Sequence, residues 1–219
     1  MQGLTAEYLD HMGGDLMIAN VARVSFAKES KEFTYRKDKT VGSDEGILEY
    51  LAKENHWTPF AHPTIQLRMK APIPIRTQCF KSKIGFVENE ESRRYISTKP
   101  ELFIPKEFRL APQGNKKQGS SGTHPHSDYW ISIYKDTCEE ALAVYCNMIE
   151  AGVAPEQARF VLPQGCCVNW IWTGSLSAYA RFVNLRKDSH AQGEVTELAN
   201  EVDNIIRPLF PVAWALLVD

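Results

Sequence analysis

The 219 residues carry 25 Lys and Arg against 27 Asp and Glu, a formal net charge of -2, so no basic excess marks a general binder of nucleic acid or anionic membrane. That length lets one large domain bury a substantial core. No apolar run approaches the ~20 residues of a transmembrane helix, and the opening MQGLTAEYLD lacks the features of an export signal, so a cytoplasmic location is expected.

In chain order, a short helix is expected around Ile47 to Asn55. His56, Thr58 and His62 then flank a turn at Pro59-Phe60, but no carboxylate or cysteine completes a metal set there, and no metal is expected. Ile65, Leu67 and Met69 alternate with Thr64, Gln66 and Arg68, the period of a half-buried strand. A helix over 73–84 would set Gln78, Lys81 and Ser82 on one face, where a single ligand could touch all three.

Residues 76–95 concentrate five basic side chains, a density suited to a phosphorylated anion. Within them, Glu90-Glu91-Ser92-Arg93-Arg94 puts a hydroxyl beside two guanidiniums. That suits a phosphate monoester; taken alone, it equally describes an exposed ion-pair network. Gln113 to His126 is rich in Gly, Ser and Lys without apolar periodicity and reads as a mobile loop, either a surface excursion or a lid.

Helical spacing returns at Cys138, Ala141, Leu142, Tyr145, Met148 and Ile149, closed by Gly152. Val168, Trp170 and Trp172 form a second alternating strand, followed by helical patterns at Leu176 to Val183 and Val195 to Ile206. Ser189 and Gln192 have the spacing of a capping box, which predicts a helix starting there with its positive end toward whatever Arg186 touches. Interleaved strands and helices give an α/β (α+β) class: one domain over 1–219 with a mixed or antiparallel central sheet flanked by helices.

Five cysteines, Cys79, Cys138, Cys146, Cys166 and Cys167, show no metal-type spacing and read as reduced thiols. The adjacent pair Cys166-Cys167 is either packing or a nucleophile. No GxGxxG or Walker pattern follows a predicted strand, which argues against Rossmann and P-loop nucleotide sites.

The run Lys81-Ser82-Lys83, eight residues, then Ser92 resembles the signature of the flavin-dependent thymidylate synthases (ThyX). Lysine stands at both arginine positions, serine at the histidine, and the spacer is longer. It is similar to a variant form of the family with Asn-Glu-x-Ser-Arg-Arg-Tyr, which Asn89 to Tyr95 match. Ala22-Arg23-Val24-Ser25-Phe26, Thr58-Pro59-Phe60-Ala61-His62, Ala158-Arg159-x-Val161-Leu162-Pro163 and the run Asn184 to Gln192 agree in order along the chain.

The resemblance implies reductive methylation of dUMP to dTMP, with methylenetetrahydrofolate as carbon donor and FAD passing a hydride from NADPH, in a homotetramer with shared active sites. It implies dUMP contacts at Gln78, Lys81, Glu90, Glu91, Ser92, Arg93, Arg94, Arg159 and Arg186, with Ser92 and Arg94 on the 5′-phosphate. Arg186 would lie against the pyrimidine, favouring ionisation at N3 and raising electron density at C5, which is catalysis by a fixed charge. Thr58, Lys81, Ser82 and Lys83 would contact FAD, with Glu90 facing nucleotide or flavin and His56 near flavin or folate. Ser175, Arg181 and His190 would be further flavin positions, and Ala61 stands where many members carry glutamate. Two alternatives stay open: a degenerate, non-catalytic nucleotide-binding homologue, and a cysteine-dependent pyrimidine methyltransferase.

Overall fold

In the computed structural model, residues 3–36, 42–114, 119–188 and 190–218 are described. The four strands β1 (Thr5–Met12), β2 (Thr64–Pro72), β3 (Phe86–Glu90) and β4 (Cys167–Ser175) form one sheet in the order β1-β2-β4-β3, antiparallel at every pairing. The alternation in β2 and β4 sets the register: Ile65, Leu67, Met69 and Ala71 lie opposite Gly174, Trp172, Trp170 and Val168. All eight of those residues are buried on one face. The other face is polar, with Gln66 bonded to Thr173 and Arg68 paired with Glu7. β1 and β3 are edge strands of mostly polar sequence and carry no period that singles them out.

Helices α6 (Leu176–Arg186), α7 (Gly193–Ile206) and α8 (Pro211–Val218) join α1 (Asp15–Arg23) and α2 (Asp44–Lys53) around one continuous apolar cluster with the buried sheet face. At its centre Phe86 stacks on Trp172, ring centroids 4.1 Å apart, while Tyr179 and Phe182 meet the same indole edge-on. Rings of this size dominate the apolar area of a core. Asp203 ties three helices on one side: it accepts from Trp214 Nε1 at 2.7 Å and Arg207 Nε at 3.1 Å and pairs with Lys187.

Three expected boundaries differ. The helix predicted over 73–84 is α3 (Ile73–Cys79) and stops before Lys81, so Gln78, Lys81 and Ser82 do not share a helical face. The chain must turn into β3 through Gly85, where φ is +83° and a Cβ would lie 2.9 Å from that of Ala178, a position only glycine fills without strain. The long helix α4 (Ser127–Glu150), followed by the single-turn α5 (Pro155–Ala158), begins well before Cys138. Its first turns expose Tyr129, Trp130 and Ile133, and apolar residues on the outer side blur the helical period. It ends as expected: Gly152 (φ 82°) and Val153 donate to the carbonyls of Ile149 and Met148 at 3.0 and 2.9 Å, a Schellman closure.

The third difference concerns the capping box. α7 begins at Gly193, and Gln192 sits at its N-cap without a side-chain cap bond; Ser189 lies outside the described residues. Within 113–126, Ser121 and His124 are paired by backbone bonds to Leu110 and Phe108, and residues 115–118 lie outside the described residues.

Candidate active site

Arg186 is the last residue of α6, anchored from behind because Thr196 of α7 donates its hydroxyl to the Arg186 carbonyl at 2.8 Å. Its guanidinium donates through Nη2 to the carbonyl of Gln78 at 2.7 Å, one of the carbonyls at the negative end of α3. Arg186 Nε is buried and has no hydrogen-bond partner among the described residues. An unpaired buried donor costs roughly 1–3 kcal/mol, so this atom awaits an acceptor. Gln78 Nε2 donates to Gln192 Oε1 at 2.7 Å, which spends the Gln192 side chain on the site rather than on capping α7. Beneath this group, burial pushes the Cys79 thiol up to about 12 despite the nearby Arg186 charge, leaving a neutral apolar floor.

At the far end of β3, Arg76 Nε lies 2.8 Å from Glu90 Oε2. Glu91 is braced to β4: its amide donates to the Asn169 carbonyl and its carboxylate accepts from Asn169 Nδ2, both at 2.9 Å. The chain then turns at Ser92, whose carbonyl accepts from Tyr95 and Ile96 and whose hydroxyl accepts from the Arg94 amide at 3.3 Å. Arg94 is half exposed beside Glu156 at 3.5 Å, and Arg159 Nε donates to the Glu156 carbonyl at 3.2 Å. Arg94 and Arg159 thus both meet Glu156, one at its carboxylate and the other at its carbonyl, and Ser92 adjoins Arg94 in the turn. Arg93 turns away to the Thr98 carbonyl at 2.5 Å.

The other predicted residues make separate contacts. Lys83 is paired with Glu88 and stands 5.1 Å over the Phe80 ring; Lys81 is exposed. Arg181 donates to the Ile84 carbonyl at 2.5 Å, and Ser175 caps α6 through the Ala178 amide. His56 and Thr58 line a cleft of about 1200 Å³ together with Val24, Phe26, Ile47 and Tyr50. Its lining mixes apolar and aromatic side chains with His62 and the cations Arg23, Lys28 and Arg36, a set that suits a planar ring system carrying polar or anionic groups. His190 is tied to Asp188, its amide donating to the carboxylate at 2.8 Å and its ring Nδ1 2.9 Å away.

Four features that the structure places at or behind these sites carried no site role in the sequence: Gln192, bonded to Gln78; Arg76, against Glu90; the buried Asp44, which holds Arg23; and the Val24–Phe26 turn, which lines the cleft. The last lay within the matched run Ala22 to Phe26 without a role attached. The other three act through partners far off in sequence, which no local pattern reveals. The cysteines carry no nucleophile signal: all five are unpaired, and burial raises Cys166 to about 11 and Cys167 to about 12, whereas a reactive thiol needs a lowered value. Among the described residues no group of three or more His, Cys, Asp or Glu could hold a metal, and no helix is long and apolar enough to cross a membrane.

The family pattern described as "Thymidylate synthase complementing protein" matches residues 7–212. A flavin-dependent thymidylate synthase of Thermotoga neapolitana is 34% identical over 212 residues, covering 97% of this chain and 89% of the relative. One of Thermosipho africanus is 33% identical over 204 residues, covering 93% and 86%. The structure is similar to that of the UMP/dUMP methylase PolB of Streptomyces cacaoi bound with 5-Br dUMP, with a TM-score of 0.85 at 25% identity over 97% of this chain and 94% of that one. The match spans β2, β3, β4, most of β1 and all the helices that carry the candidate residues, and the chain belongs to the thymidylate synthase complementing protein family.

Proposed function

We propose that this protein is a flavin-dependent thymidylate synthase that methylates dUMP to dTMP, with methylenetetrahydrofolate as carbon donor and NADPH as reductant. The observation that carries the reading is the Arg186 guanidinium, fixed by Gln78 with a buried Nε left for an acceptor. Facing a uracil, that cation stabilises negative charge developing on the ring and needs no covalent residue. Ser92, Arg94 and Arg159 offer a hydroxyl and two guanidiniums to a phosphate monoester, the donor set such a group takes. FAD would be held by Thr58, His56, Ser175, Arg181 and the segment Lys81 to Lys83, and when bound supplies the hydride chemistry that side chains lack.

Arg94, Tyr95 and Phe160, in or next to the proposed phosphate-binding set, are exposed, which supports a homotetramer whose neighbouring subunits complete each site. Five unpaired thiols support a cytoplasmic location. The purified protein is expected to be yellow and to oxidise NADPH, forming dTMP only when dUMP and methylenetetrahydrofolate are both present. A colourless preparation that gains no flavin absorbance after incubation with FAD, and forms no dTMP, would sink the reading.

Ser82 stands at the family histidine, and a hydroxyl cannot stack on a planar ring as an imidazole can. Ser82→His is expected to strengthen flavin retention, read as the fraction of FAD surviving gel filtration. Unchanged or weaker retention would mean that this chain holds the flavin by other contacts.

A further inference from the structure

We propose that Arg76 is a positioning residue of this site, clamping the Glu90 carboxylate in the orientation in which it meets the nucleotide. The inference rests on the proposed function, with Glu90 at the dUMP contact that the family resemblance implies.

The two side chains are about three-quarters shielded, 23% and 25% exposed, with Arg76 Nε 2.8 Å from Glu90 Oε2. Both atoms are buried, yet they are misaligned and make no directed hydrogen bond. The contact is therefore ionic. Arg76 is itself located by packing: its guanidinium lies 5.2 Å over the ring of Phe80, the residue that caps the C-terminus of α3. Phe80 meets Trp170 edge-on at 5.7 Å, and Trp170 is the register partner of Glu90. Arg76, Phe80 and Trp170 thus link α3 to β4 at the position where β4 pairs with Glu90 of β3, and a located guanidinium holds the carboxylate it meets.

Only one oxygen is spent in this way. Among the described residues Glu90 Oε1 has no hydrogen-bond partner, and a shielded carboxylate held by one oxygen offers the other to a donor from outside. Replacing a partner of a shielded ion pair strands the remaining charge. The charged groups acting on Glu90 are Arg76 from α3 and Glu91 beside it; β4 presents Trp170 and Asn169, neither of which titrates, and Asn169 is bonded to Glu91. Burial raises the Glu90 carboxyl above the usual glutamate value, Arg76 pulls it down and Glu91 pushes it up. Without Arg76 the carboxyl rises further and takes up a proton at higher pH.

The test measures kcat and KM for dUMP against pH in holoenzyme carrying Arg76→Met, Arg76→Lys, Glu90→Gln and the pair Arg76→Met with Glu90→Gln. Arg76→Met is expected to raise the KM for dUMP more than it lowers kcat and to shift the acid limb of kcat/KM upward by about one pH unit, the low end of what one nearby cation does. Arg76→Lys should return the limb most of the way, since charge is kept and only the planar fork is lost. On the Glu90→Gln background Arg76→Met should cost nothing further. An impaired Glu90→Gln with normal dUMP kinetics and an unshifted limb in Arg76→Met overturns the clamp alone. A fully active Glu90→Gln overturns both the clamp and the placing of Glu90 against the nucleotide. If Arg76→Met does not fold, the limb in Arg76→Gln decides, and an unshifted one overturns the clamp.

Discussion

Arg186→Ala is expected to lower dTMP formation by at least ~10²-fold, the cost of removing one preorganised charge from a site, with little change in flavin retention. The geometry gives the reason. A cation stabilises a transition state only if it is already in place, and Arg186 is held from both ends: Nη2 on the Gln78 carbonyl and the backbone carbonyl on Thr196. Lys187, next in sequence, is paired with the Asp203 that tethers Arg207 and Trp214. Little reorganisation remains to be done when a uracil arrives. Arg186→Lys should fall between wild type and alanine, because an ammonium keeps the charge but cannot hold the Gln78 carbonyl and the ligand through a planar fork. The measurement is single-turnover dTMP formation with flavin reduced beforehand, which isolates the methylation from NADPH oxidation. Near-normal rates in Arg186→Ala would remove this residue from the chemistry.

What the sequence reveals of this molecule follows from how local each signal is. β2 and β4 stand out because both are central strands with one buried face, and α7 because its stripe from Val195 to Ile206 is unbroken. β1 and β3 escape notice because edge strands satisfy fewer apolar contacts and here carry Glu, Asp and Asn. The turn that leads from α3 into β3 is hidden for another reason: it passes through Gly85 packed against Ala178, a contact made far along the chain. The same holds for the site. The family resemblance assembles the nucleotide residues, but not that Gln78 is met by Gln192 or Glu90 by Arg76. Ser189 and Gln192 illustrate the converse: a local capping pattern loses to a tertiary hydrogen bond that uses the same amide.

Asp44 carries the largest expected effect on stability. Its side chain is fully buried, and each oxygen has two donors: Arg23 Nε and Ser30 Oγ reach Oδ1 at 2.8 and 2.9 Å, while the Thr34 amide and hydroxyl reach Oδ2 at 2.9 and 2.7 Å. Asp44→Ala strands Arg23, only 16% exposed, and is expected to cost about 3–5 kcal/mol, the usual result of breaking a buried pair from one side. Urea unfolding at neutral pH measures it, and a midpoint within about 0.5 kcal/mol of wild type, the scale of an indifferent surface change, would refute it. Burial alone would raise the carboxyl; the bonds from Thr34, Arg23 and Ser30 outweigh it and leave the folded value below 3.8. A lowered folded value means that the stabilisation is complete above 3.8 and is lost as pH falls through the folded value. The gap between wild type and Asp44→Ala should therefore hold steady from neutral pH to about 5 and close only in stronger acid. Because the same carboxylate ties Arg23, Ser30 and Thr34 together, it fixes the segment that carries Val24 and Phe26 along one wall of the large cleft. Asp44→Asn, which keeps the shape and loses the charge, should accordingly weaken FAD retention more than it slows turnover of the flavin-saturated enzyme; equal losses in both would mean that Asp44 supports the fold as a whole and has no separate hold on the cleft.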